Sequence, residues 1–359
     1  MKRLLTALLM CTLLLSGCGF WMNKEYVSVE PYLDNQTAHN DKIPEAQNYI
    51  QLRDALVDLV ENSKTEGTVI IATLEQENVE TYMQMAEDHI KNTSAIGAYT
   101  VDEISYEVGT SLGKAAVAVN FTYNNNQSSL KKMQRANDME EAAQILENAM
   151  NKCEAEVVFL VDGYDGTDFY QMIQDYTVQR PDKVMELPQT QVSIYPEKGK
   201  QRVVDISFTY QTNRETLRTM RETVDPVFTS ARLYVSGSTK DQEKLSLLYA
   251  FLMERYNYTV EASITPTYSL LCHGVGDSKA FAVVYAAMCR QAGLDCQMVS
   301  GTKDSEPWFW NVVTLDGQNY HLDLLQCSRT DGFRLLAEHQ MDGYVWDFSA
   351  YPARAVQGE

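Results

Sequence analysis

The stretch 268–301, YSLLCHGVGDSKAFAVVYAAMCRQAGLDCQMVSG, and the segment that follows it at 307–323, PWFWNVVTLDGQNYHLD, decide the fold of this chain. A loop ending at Gly274 leads into a predicted helix from Lys279 to Ala292. The Gly293-Leu294 turn closes that helix and delivers the chain into a strand. A second strand carries Trp308-Phe309-Trp310-Asn311. After the Leu315-Asp316-Gly317 turn, a third ends in Tyr320-His321-Leu322-Asp323.

Residue types and spacing here resemble the core of the bacterial transglutaminase-like superfamily, a papain-related fold built around a cysteine nucleophile. Tyr268, Leu271, Gly274, the helix and the Gly293-Leu294 turn all fall at the family's positions. Counted forward from Tyr268 or back from Gly293, the nucleophile's position is Ser278. The family's histidine, from its His-Ala-Trp-Asn strand, falls on Trp308, and its aspartate falls on Asp323. The likeness begins with the leading helix within Asp241 to Tyr258. It continues to a closing pattern seen as Met341, Tyr344, Trp346-Asp347 and Tyr351-Pro352, and so covers about 235 to 353. The resemblance implies the family's fold and, as substrate class, peptide or cell-wall peptide.

Two of the three positions have changed, and chemistry says what that costs. A thiol at a helix N-terminus ionises readily because free N–H groups and the macrodipole favour a thiolate, and a neighbouring imidazole lowers its pKa further. A serine hydroxyl needs a positioned base. Indole carries a donor and no acceptor, so Trp308 cannot be that base. Losing a nucleophile or its base costs on the order of a millionfold in such constellations. The degenerate triad Ser278, Trp308 and Asp323 therefore predicts a pseudoenzyme, in which Ser278 or Asp277 caps the helix and Asp323 accepts a hydrogen bond from Trp308 or Ser278.

Two arrangements would restore an active hydrolase or acyl transferase of this superfamily. His321 and Asp323, two apart on a predicted strand and so on one face, would act on Ser278. Alternatively Cys272, beside His273 in the loop before the helix, would be the nucleophile. Cys289 lies more than two turns too late to open the helix.

The N-terminus reads as a bacterial lipoprotein signal. Met1-Lys2-Arg3, the apolar run Leu4 to Leu15 and Leu15-Ser16-Gly17-Cys18 make a basic start, a core too short to span a bilayer and a lipobox. Residues 1–17 are then a signal peptide. Resemblance to lipoprotein signals implies diacylglycerol on Cys18 and anchoring outside the cytoplasmic membrane. Residues 18–46, polar and carrying Pro31 and Pro44, form a tether.

Between tether and closing domain the sequence repeats itself with a period of about 87 or 88 residues. TVIIAT at 68–73 answers EVVFLV at 156–161, Phe121-Thr122-Tyr123 answers Phe208-Thr209-Tyr210, and Leu130 and Met133 answer Leu217 and Met220. Each copy reads helix, strand, helix, strand, strand, the late pairs being joined at Gly113-Lys114 and Gly199-Lys200. The predicted class is α+β: two duplicated small α/β modules, 47–135 and 136–234, then a transglutaminase-like (papain-like) α+β domain, 235–353. Asn124 to Gln127 reads as a solvated loop.

Composition narrows the function further. A formal charge of -19 with no basic-aromatic surface pattern argues against nucleic acid as a partner. No motif implies a cofactor, and no Cys/His spacing resembles a zinc site. With Cys11 leaving in the signal and Cys18 lipidated, Cys153, Cys272, Cys289, Cys296 and Cys327 remain, an odd number. Cys289 and Cys296 read as small buried hydrophobes, whereas Cys272 and Cys327, in predicted loops near the old catalytic centre, are candidates for a bridge. Three functions stay open: a binder of peptide or cell wall, an enzyme with a substituted nucleophile, and a spacer in an envelope complex that holds an unidentified protein partner.

Overall fold

Helix α1 (Tyr49–Glu61) starts where Asn48 takes an extended conformation and its side chain accepts from the Gln51 amide. Leu52, Leu56 and Val60, four residues apart, form its buried stripe. This is a computed structural model, and it describes residues 43–351 apart from Glu75 and Asp331. The signal peptide, Cys18 and nearly all of the tether lie outside the described residues, as does Pro352. From Ala46 onward the chain forms one unit.

After α1 come β1 (Glu66–Ile70), α2 (Val79–Asn92), α3 (Ala95–Thr100), β2 (Val101–Ser111) and β3 (Lys114–Tyr123). The three strands form an antiparallel sheet in the order β1-β3-β2. Leu112 and Gly113, both at positive φ, make the β2–β3 turn. A 3-10 helix, Asn125–Lys132, follows, and here the expected solvated loop is corrected. Asn124 caps this helix, and the Asn124 and Asn126 amides both donate to the Tyr99 carbonyl, at 3.1 and 3.0 Å. Asn-rich sequence reads as loop because its side chains compete with the backbone for hydrogen bonds, and here that competition builds a bracket.

Next come β4 (Gln134–Ala136), α4 (Met139–Asn151), β5 (Glu156–Val161), α5 (Phe169–Gln179), β6 (Gln189–Tyr195) and β7 (Arg202–Thr209). Their sheet runs β4-β5-β7-β6, so β5-β7-β6 has the same order and antiparallel sense as β1-β3-β2. β5 is apolar without alternation because both of its faces are covered. Val157, Phe159 and Val161 face α4 and α5, while Val158 and Leu160 join the core of the preceding sheet. Tyr99, fully buried, crosses that junction and donates to Asp205 at 2.9 Å.

The remaining elements are α6 (Arg214–Tyr234), α7 (Asp241–Met253), β8 (Asn257–Tyr258), α8 (Pro266–His273), β9 (Val275–Gly276), α9 (Ser278–Gln291), β10 (Cys296–Lys303), β11 (Glu306–Leu315), β12 (Gln318–Leu322), α10 (Leu324–Arg329) and β13 (Tyr344–Trp346). Every residue from Ala280 to Cys289 is buried, so α9 is the axis of this region. A helix apolar all round must be enclosed. One side rests on the antiparallel sheet β12-β11-β10-β13, and α6, α7 and α8 cover the others. Tyr285 donates to the Leu245 carbonyl at 2.8 Å, pinning α9 to α7. Mixed α+β architecture is thus the observed class. Among the described residues no helix is long and apolar enough to cross a membrane.

Candidate functional site

Ser278 is the first residue of α9 and only 7% exposed. The cap is Asp277, whose carboxylate accepts from the Ala280 amide at 2.9 Å. This settles which of the two neighbours caps, and it has a chemical consequence. The positive end of the helix, which would stabilise an anion on residue 278, already faces the chain's own carboxylate.

Trp308 and Asp323 meet directly. Asp323 follows the last residue of β12 and caps α10, with Oδ1 accepting from the Gln326 amide at 2.9 Å. Its Oδ2 accepts from Trp308 Nε1 and from the Tyr344 hydroxyl, each at 2.7 Å. Burial and the Asp323 charge push the Tyr344 hydroxyl well above the usual phenol range, so it remains a donor. The Trp308 ring also packs against Tyr258 at 5.8 Å, and Tyr258 pairs in a short parallel ladder with Gly276, two residues before Ser278. Trp308, at the start of β11, and Asp323, after the end of β12, therefore lie at one end of the sheet, and Tyr258 links them to the start of α9. Lys303 completes the group: its Nζ lies 5.6 Å from the centres of both Trp308 and Tyr344 and donates to Gln326 at 2.8 Å.

His321 does not join them. It lies opposite Val312 across the β11–β12 ladder, on the face with Trp310 and Trp346. Helix α9 packs on the other face, where the Asn311 amide donates to the Ala282 carbonyl at 2.9 Å. Asp323 lies just beyond β12, which ends at Leu322, and in extended conformation caps α10. The imidazole Nδ1 accepts from Trp310 Nε1 at 3.0 Å, and burial lowers its pKa to about 4. His321 is a neutral acceptor within an aromatic cluster.

Cys272 and Cys327 are on helices, α8 and α10, in place of the expected loops. Cys272 occupies the last turn of α8, where the dipole opposes a thiolate, and burial pushes its thiol up. All five described cysteines are free thiols, so no bridge joins Cys272 to Cys327, and Cys289 and Cys296 are fully enclosed. Among the described residues no group of three His, Cys, Asp or Glu side chains is placed to hold a metal ion.

Two members of this cluster, Lys303 and Gln326, escape sequence reading, and Tyr258, expected at the end of the leading helix, lies in β8. Tyr258 is brought in by a two-residue ladder, and Lys303 by the packing of β10 between β11 and β13. Neither contact leaves a local signal, although Tyr344 fell within the quoted closing pattern.

Residues 229–347 match the model of the Transglutaminase-like superfamily. Among solved structures, a transglutaminase (TGase) aligns at 11% identity and a TM-score of 0.29, over 68% of this chain and 67% of the other. A candidate protease from Parabacteroides distasonis aligns at 11% identity and a TM-score of 0.24, over 59% of this chain and 47% of the other. No curated protein matches.

Proposed function

We infer that this chain, which carries a transglutaminase-like superfamily domain, uses it to bind and not to cut. The observation that carries this reading is the bond from Trp308 Nε1 to Asp323 Oδ2. The carboxylate that would orient a catalytic imidazole is occupied by a group with no acceptor, so nothing at that position can take a proton from Ser278. Capping of α9 by Asp277 and the placing of His321 on the far side of the sheet support the same reading. Two of the three triad positions, Trp308 and Asp323, have become part of a structural polar cluster.

The binding partner in this proposal is peptide or cell-wall peptide. The location is outside the cytoplasmic membrane, through lipid on Cys18. The region from 47 to 234 is read as a duplicated pair of modules that space the domain from the membrane. Support comes from the lipobox and from the strand order shared by the two sheets.

Activity-based labelling of the full-length protein tests the first half. Thiol- and serine-reactive probes are applied, and adducts are located by mass spectrometry. The expected result is no labelling of Ser278 or Cys272 above that of denatured protein. Selective labelling of either would return the chain to the enzymes. Titration with peptides and peptidoglycan fragments tests the second half, and absence of binding at millimolar concentration would remove the ligand class.

A further inference from the structure

A cleft of about 560 Å³ lies between the C-terminus of α4 and the N-terminal half of α6, and shares no residue with the cluster around Asp323. Five of its nine lining residues are Lys or Arg and one, Glu215, is acidic. The chain as a whole has 49 Asp and Glu against 30 Lys and Arg, so this is a local reversal of its charge. Arg214, Arg218 and Arg221 recur on α6 at i, i+4 and i+7, which sends three guanidinium groups off one helix face. Lys152 and Lys183 line the cleft from the segments following α4 and α5.

The partners of these cations within the chain are few and placed at the rim. Arg214 pairs with Glu154 at 2.9 Å and Arg218 with Glu222 at 3.7 Å, all four side chains being more than a third exposed. Lys183 is 3.8 Å from Asp182, which Arg180 holds more closely at 2.9 Å. Exposed pairs of this kind are weak and give way to a better anion. Arg221 donates to the Asn151 carbonyl, which fixes its guanidinium at the cleft. The Cys153 thiol lines the same cleft and is pushed up by burial, so it supplies no anion of its own.

We propose that this cleft binds a multiply charged phosphate ligand, either a soluble phosphate compound or the headgroup of an anionic lipid. One carboxylate would engage a single guanidinium fork, whereas phosphate presents three oxygens to donors arriving from several sides. The volume accommodates more than one phosphate group.

The test compares the full-length protein with its Lys152→Gln/Arg218→Gln variant. Both residues are exposed, so circular dichroism should show an unchanged fold. In calorimetric titration with sodium pyrophosphate, the expected result is a single site, weakened at least tenfold in the variant and by raising salt from about 50 to about 300 mM. In sedimentation with vesicles, preference for phosphatidic acid over phosphatidylcholine, lost in the variant, identifies the lipid headgroup as the source. Pyrophosphate binding without that preference identifies a soluble ligand. If neither probe binds, or if the variant binds both as well as the parent, the proposal is wrong.

Discussion

The indole Nε1 of Trp308 donates to Asp323 Oδ2 at 2.7 Å, and the carboxylate also accepts from Tyr344 and from the Gln326 amide. A buried carboxylate with three donors is a structural element in its own right. Asp323→Asn would present an amide N–H to at least one of those donors, and a cost of about 2–4 kcal/mol is expected. Tyr344→Phe removes a single donor and should cost about 1–2 kcal/mol. Urea unfolding at pH 7 measures both, and equal effects would show that the charge of Asp323 is not what the cluster requires.

If lost side chains account for lost chemistry, restoring them should return reactivity. Ser278→Cys alone places a thiol at the start of α9 with no imidazole beside it. Ser278→Cys/Trp308→His adds that imidazole and lets Asp323 orient it. Iodoacetamide labelling of residue 278 at pH 7 is expected to be at least tenfold faster in the double variant. Its rate–pH profile should also shift to lower pH. Identical rates would mean that the start of α9 and residue 308 do not form a working pair.

Acid should weaken the fold through His321. Its pKa lies near 4 in the folded protein, because of burial, against 6.5 in the unfolded chain. Between these values the unfolded chain binds the proton and the folded one does not, so stability is intact above about 6.5 and declines as pH falls toward 4. His321→Gln keeps an acceptor for the Trp310 indole and removes the titration. Urea midpoints at pH 7.0, 5.5 and 4.5 should show a smaller decline in that variant, and parallel declines would assign acid sensitivity elsewhere.

Gly301 is a packing requirement of the sheet and not of a turn. A Cβ there would meet the Val345 carbonyl on β13 and, at 2.7 Å, Cη2 of Trp310. Gly301→Ala is expected to destabilise by about 1–3 kcal/mol, since backbone and an enclosed indole both have to move. Faster hydrogen exchange at the β10–β13 pairing would locate the damage, and wild-type stability would show that β13 yields freely.

Local residue chemistry was enough to expose some features. Asp277 and the Gly293 turn mark helix ends by properties that act within a few residues. The spacing from Tyr268 to Asp323 carried the transglutaminase-like domain, because loop, helix and strand lengths are set along the chain. The replacement of the nucleophile and its base was likewise plain from residue identity. What remained hidden depends on groups far apart in sequence. His321 read as a base within reach of Ser278, yet α9 packs on the side of the sheet that His321 does not face. Asn124 and Asn126 read as loop, yet the Tyr99 carbonyl, brought near by the turn of α3 into β2, recruits both. Three of the five cations of the α4–α6 cleft share one face of α6, whereas Lys152 and Lys183 come from the segments after α4 and α5 and reach the cleft only through tertiary packing. Side-chain type is a property of the residue, whereas which face it occupies and what it meets there are properties of packing, which strand ends and helix contacts decide.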